Sequence, residues 1–170
     1  MPESKTLNTK VIIGNQEWCA FPELNIPAVK ARVDSGAKTS SLHAFNIKTF
    51  NKNGQDWVGF DIHPIQKDKK TNIYCEAPLI DKRFVKSSNG KSKRRFVIMA
   101  NLRLGDMNWP IELTLANRDS MGYRMLLGRE AMNGRLMIDP DESFLLGQHT
   151  RQSIARLYGI KKRKKIKKSS

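Results

Sequence analysis

Apolar residues recur at every second position through the middle of the chain. Val29, Ala31 and Val33 share one face, as do Phe96, Ile98, Ala100, Leu102 and Leu104, and the pattern returns at Trp109, Ile111, Leu113 and Leu115. A period of two is that of a strand with one side in a core. Between the last two runs, Gly105-Asp106-Met107-Asn108 has the residues of a tight hairpin, and Asn53-Gly54 and Asn89-Gly90 mark two further turns. Shorter strand-like runs fall at 11–18, 42–50, 57–65, 71–80, 125–127 and 136–139. Many short strands at this spacing predict an all-β barrel or sandwich.

Helix is scarce. Arg129 to Met132 reads as a brief turn stopped by Asn133-Gly134, a pair able to take left-handed backbone angles. A second helix is predicted from Thr150 as N-cap to Gly159, docking through Ile154, Leu157 and Tyr158. This divides the chain into a flexible N-terminus (1–10), a folded domain (11–149), a C-terminal helix (150–159) and a basic tail (160–170) expected to be disordered.

Charge sharpens that division. The net charge is +15, yet residues 151–170 hold nine Lys or Arg and no acid, leaving 22 basic and 16 acidic residues in the other 150. With 39% hydrophobic residues and 7 Phe, 3 Trp and 3 Tyr the body can build a core. Trp18, Trp57 and Trp109 lie in strand patterns and are expected to fill it. Cys19 and Cys75 form no C-x-x-C and read as free, buried thiols in a reducing compartment. No apolar run suggests a signal peptide or membrane span, so a soluble cytoplasmic protein is expected.

The chemistry concentrates at Ala31-Arg32-Val33-Asp34-Ser35-Gly36-Ala37, where an apolar strand runs into an acid, a hydroxyl and a glycine. The glycine lets the chain turn while the carboxylate projects, and Ser35 can pin the loop by a hydrogen bond. Such a carboxylate suits a pair that shares a proton, one acting as base and the other as acid on a water. By itself the tetrapeptide also fits a capped turn between strands.

Ninety residues later, Met125-Leu126-Leu127-Gly128-Arg129 changes the balance. Together the two segments resemble the retropepsin family, dimeric aspartic proteases with an Asp-Thr/Ser-Gly-Ala motif and a later apolar-apolar-Gly motif. The resemblance implies a closed acid-protease barrel. It also implies a catalytic motif of Asp34, Ser35 and Gly36, with Asp34 as the catalytic acid and Ser35 as the hydroxyl locking the loop, and Gly36, Ala37 and Gly128 as packing positions, Ala37 and Gly128 also facing substrate. The strings Val33 to Ala44, Val85-Lys86-Ser87-Ser88-Asn89-Gly90, Glu112-Leu113-Thr114-Leu115, Asn117-Arg118-Asp119-Ser120-Met121 and Leu126-Leu127-Gly128-Arg129 are similar to a bacterial branch of that family. That branch is labelled an ATP-dependent zinc protease, and its members are often encoded beside an ATP-grasp ligase that adds glutamate to a ribosomal protein. A link to that ligase and to ribosomes is therefore implied by the resemblance alone.

The residues do not support the zinc label. There is no H-E-x-x-H, and His43, His63 and His149 are dispersed and expected in loops or at the surface. No G-x-x-x-x-G-K-[ST] loop is present for ATP, so no cofactor is expected. With one Asp-Ser-Gly in the chain, the second carboxylate must come from a homodimer. Between the motifs, the stretch Arg83 to Arg95 is the candidate for a flap. Lys86, Lys91, Lys93, Arg94 and Arg95, with Lys38 and Arg129 beside the motifs, suggest acidic peptide substrates, or else a solvated basic hairpin. The tail at 161–168 could contact RNA weakly through counterion release, or serve only solubility. The competing function is a non-catalytic module on the same fold that binds RNA or ribosomes.

Overall fold

A computed structural model of the chain describes residues 9–86, 90–117 and 122–160. Six strands close on themselves: β2 (Gln16–Phe21), β3 (Ile26–Val33), β10 (Met125–Leu127), β4 (Ser40–His43), β9 (Met107–Ala116) and β8 (Ser92–Leu104), in that spatial order. Ala20 of β2 then pairs with Arg103 of β8, which completes the ring and confirms the expected closed barrel. Closure removes the open edges that a flat sheet of this size would expose. The alternating runs fill the interior, with Val29, Ala31, Ile98, Leu102, Leu104, Leu113 and Leu115 almost wholly buried. Burying each such side chain contributes about 1.5–3 kcal/mol before the entropy of ordering the chain is subtracted.

Beyond β8 the sheet continues through β7 (Ile73–Lys86), β6 (Gln55–Ile62) and β5 (Phe45–Lys52). The β5–β6 hairpin turns at Asn53-Gly54 as anticipated, both with positive φ, and the β8–β9 hairpin turns at Gly105, φ +58°. Asn89 of the third predicted turn lies outside the described residues, as do the N-terminal residues 1–8, the segment 118–121 and the tail at 161–170. Two helices are present, α1 (Arg129–Met132) and α2 (Arg151–Leu157), the second capped by Thr150, whose side chain accepts from the Ser153 amide at 3.0 Å. Ile154 is buried and the Tyr158 hydroxyl donates to the Ala28 carbonyl, whereas Leu157 is exposed and takes no part in docking.

The predicted strand 11–18 is two, β1 (Val11–Ile13) and β2, parted at Gly14-Asn15. β1 leaves the barrel to pair in parallel with β11 (Leu136–Ile138). Gly14 marks the crossing, since a Cβ there would lie 2.4 Å from the Glu142 carbonyl oxygen. Glu17, fully buried, secures the same crossing: its carboxylate accepts from the amides of Gly14 (2.8 Å), Leu145 (2.9 Å) and Leu146 (3.0 Å). One acid thereby ties Leu145 and Leu146 to the mouth of β2.

Some expectations need correction. Of the tryptophans, Trp109 is core and donates to the Ala131 carbonyl at 3.0 Å. Trp18 and Trp57 are half-buried on outward faces, beneath the ammonium groups of Lys30 and Lys52. His43 is neither in a loop nor at the surface, being fully buried in β4 with its ring 5.8 Å from that of His63. Cys19 and Cys75 are buried free thiols, and burial pushes both up to about 12. No helix among the described residues is long and apolar enough to cross a membrane.

Removing the Glu17 carboxylate would orphan three amide donors, one buried and two part-buried. Glu17→Ala should therefore lower unfolding stability by about 3 kcal/mol or more, read as a fall in the urea midpoint.

Candidate active site

β3 delivers Asp34 to the end of the barrel, and β10 runs parallel beside it, with Leu127 in register with Val33. The pairing reaches one residue further, for the Asp34 amide donates to the Leu127 carbonyl at 2.9 Å. The chain then reverses: the Ala37 amide donates to the Asp34 carbonyl at 3.2 Å, and the Gly36 amide to Asp34 Oδ1 at 2.9 Å. Oδ2 makes no hydrogen bond among the described residues, so one carboxylate oxygen is anchored and the other presented.

β10 and α1 grip this loop from the other side. The amides of Arg129 and Glu130, the first of α1, donate to the carbonyls of Ala37 (2.8 Å) and Lys38 (3.1 Å), groups that would otherwise lack partners. The Gly128 amide donates to Ser40 Oγ at 2.9 Å, and the Arg129 guanidinium to the Gly36 carbonyl at 3.2 Å. Such contact between two backbones requires Gly128, where a Cβ would fall 2.7 Å from the Thr39 carbonyl carbon and 2.9 Å from the Ser40 nitrogen. Asp34, Ser35, Gly36, Ala37, Lys38, Gly128 and Arg129 are thus brought together as the sequence suggested.

Two assignments change in detail. Ser35 is exposed and makes no hydrogen bond among the described residues, so the loop is pinned by Asp34 Oδ1 and Arg129. Arg129 spends one donor on the loop itself, while Lys38 lies 3.7 Å from Glu130 in an exposed pair of small energetic weight.

The candidate flap is the outer half of the β7–β8 hairpin, with Lys82 to Lys86 paired against Phe96 to Ser92. Its tip, 87–89, lies outside the described residues. Arg94 and Arg95 sit on this arm, away from the Asp34 loop in the chain, and are not joined to it by any hydrogen bond or ion pair among the described residues. The arm is tethered at its root by Arg83, whose guanidinium meets Glu112 of β9 twice, at 2.6 and 3.1 Å, and Asp81 at 2.6 Å. Hydrogen bonds from Arg83 hold Glu112 and Asp81 below the usual carboxylate range. Sequence reasoning missed this clamp, since the bulge between Leu79 and Asp81 that aims it has no motif. Beside it, a cleft of about 290 Å³ opens between Thr39, Met99, Trp109, Glu112, Glu130 and Arg135.

No group of three or more His, Cys, Asp or Glu that could hold a metal ion occurs among the described residues. His43, His63 and Phe45 instead form a ring stack.

Residues 12–149 match a family model described as retropepsin-like aspartic endopeptidase RimB, RimB-like. Similar curated proteins are each named probable alpha-L-glutamate ligase. That of Shewanella halifaxensis is 56% identical over 158 residues, covering 93% of this chain and 34% of its own. That of Desulfotalea psychrophila is 57% identical over 149 residues, covering 88% and 32%. The chain therefore spans about a third of the length of the curated relatives it matches. A crystal structure of a Legionella pneumophila protein of unknown function superposes with a TM-score of 0.68 at 30% identity, over 80% of this chain and 98% of that one.

Two predictions follow from the geometry. Gly128→Ala forces a methyl into backbone and should cost about 2–3 kcal/mol in thermal unfolding, with altered amide shifts in residues 34–40. Depressed carboxylates contribute stability above their ordinary range and lose it as pH falls through their folded values. Hydrogen exchange in the arm, corrected for intrinsic rates, should thus quicken from about pH 5 to about pH 3, and Glu112→Gln should remove most of that dependence.

Proposed function

The chain belongs to the RimB-like family of retropepsin-like aspartic endopeptidases, and from that premise we propose that it is an aspartic peptidase active as a homodimer. The observation that carries this reading is the Asp34 carboxylate, anchored through Oδ1 and open at Oδ2, on a loop clamped by β10 and α1. Across a two-fold axis the same loop of a second copy would supply the partner acid. Two carboxylates so close share one proton. The ionised Asp34 takes a proton from water as its oxygen attacks the carbonyl carbon, and the protonated Asp34 gives its proton to the carbonyl oxygen. The tetrahedral intermediate collapses with a proton passed to the departing nitrogen, leaving an acid and an amine. Gly36, Ala37, Lys38, Gly128 and Arg129 form the floor of the site.

Acidic peptides are the substrates this surface favours. Glu112 is neutralised by Arg83 and Glu130 faces Lys38, whereas Arg94 and Arg95 have no acid within ion-pair distance among the described residues. Relatives that contain a domain like this one, and are about three times its length, are named probable alpha-L-glutamate ligase, which supports glutamate-rich peptides as substrate. An ATP-grasp ligase would be the natural partner, and cytoplasm the place of action.

Wild type should cleave glutamate-rich peptides and sediment as a dimer at micromolar concentration, and Asp34→Asn should lower kcat by about 10³-fold. Charge reversal at Arg94 and Arg95 should raise KM for an acidic peptide about tenfold and spare a neutral one. A strictly monomeric protein, or an Asp34→Asn variant of full activity, would refute the mechanism. RNA or ribosome binding without any peptidase activity would favour the binding-module reading.

A further inference from the structure

Strand β3 carries more than Asp34. Val29 and Ala31 point into the barrel, so Ala28, Lys30 and Arg32 point out, and the alternation continues to Asp34, whose amide extends the ladder. Four residues of strand separate Lys30 from Asp34, about 13 Å at roughly 3.3 Å per residue. At Lys30 the outer face opens into a cavity of about 630 Å³, lined among others by Trp18, Lys30, Lys67, Asp68, His149 and Arg151. It is larger than the cleft beside Thr39 and is no part of the Asp34 loop.

The cavity is built and basic. Trp18 is in register with Lys30, and the Lys30 ammonium lies 5.3 Å from the Trp18 ring centre and 5.6 Å from that of Phe144. Trp18 is fixed in turn by its Nε1 donating to Gln148 Oε1 at 2.8 Å and by the His149 ring edge-on at 5.2 Å. Lys30, Lys67 and Arg151 have no acid within ion-pair distance among the described residues. The one acid of the lining, Asp68, is turned into its own loop, accepting from the Lys70 and Thr71 amides and the Thr71 hydroxyl.

We propose that this cavity is a second binding site for the same substrate chain, taking carboxylate side chains about four residues from the bond cut at Asp34. The proposal rests on the peptidase reading and deepens it. An extended peptide advances about 3.3 Å per residue, the same as the strand it would follow, so its fourth residue from the cleaved bond arrives at Lys30. Arg32, exposed between the two, continues the positive track. Carboxylate on a partly desolvated guanidinium or ammonium is among the stronger polar contacts. A peptide is favoured over a polyphosphate because the cations follow the rise of a strand on one strand-built face.

The test uses peptides with two or eight glutamates beyond the cut bond. Lys30→Gln with Arg151→Gln should raise KM for the longer peptide about tenfold, change that of the shorter by less than twofold, and leave kcat in place. The exposed Arg151→Gln alone should move KM in the same direction by less. Equal effects on both lengths, or none, would overturn the proposal. Binding of a labelled eight-glutamate peptide to the Asp34→Asn protein, read by anisotropy, separates the two ideas. If nothing is cleaved but the double variant still weakens this binding, the peptidase reading falls and the cavity stands. If a uridine dodecamer binds the cavity more tightly than the peptide and displaces it, the cavity belongs to RNA and the proposal fails.

Discussion

The approach of two backbones at Gly128 is the constraint on which the candidate site depends. Between 126 and 130 the chain must come near enough to 34–40 for amides on each side to reach carbonyls on the other, and any side chain at 128 would stand in the way. The consequence is electrostatic as well as steric. Orphan amides at the start of α1 are satisfied by the carbonyls of Ala37 and Lys38, so the helix start and the loop reversal complete each other. A loop held by backbone bonds along both its arms has little freedom left, which is what a carboxylate must have if it is to meet another at fixed distance.

Charge is distributed by the same economy. The acids near the site are spoken for: Glu112 and Asp81 hold Arg83, and Glu130 faces Lys38. These pairs fix geometry, the root of the arm above all, and add little net field. The cations that remain, along the arm and down the outer face of β3, set the character of the surface. The proposed preference for acidic chains would thus arise from which charges the fold leaves unpaired among the described residues, a property the overall balance of +15 does not reveal.

Much of the barrel was legible because most of its strands have one buried face, and one buried face writes a period of two. Where that condition lapses, the sequence falls silent. β4 is buried on both sides, so His43 lies in the core although an isolated histidine reads as polar surface. The arm beyond Arg83 is solvated on both sides, so the strands run to Lys86 and resume at Ser92 through residues with no apolar rhythm. The break at Gly14 answers to Glu142, and the cavity at Lys30 to Lys67 and Arg151, and contacts so distant in sequence leave no local trace. The Asp34 and Gly128 segments were readable for the opposite reason, each requirement being met within four or five consecutive residues.

Two carboxylates in this barrel show what separates a structural acid from one available for chemistry. Glu17 is fully buried, and both its oxygens are engaged by three amides, two on Oε2 and one on Oε1, so it can neither reach water nor change partners without unfolding the crossing it holds. Asp34 sits on an equally rigid frame but accepts a single amide bond, and it is only half-buried. The rigidity belongs to the loop and the unfilled acceptor to the side chain. A site that presents one fixed, unsatisfied carboxylate is chemically half of something, and in the proposed homodimer a second copy of the same surface would complete it with the group that can share its proton.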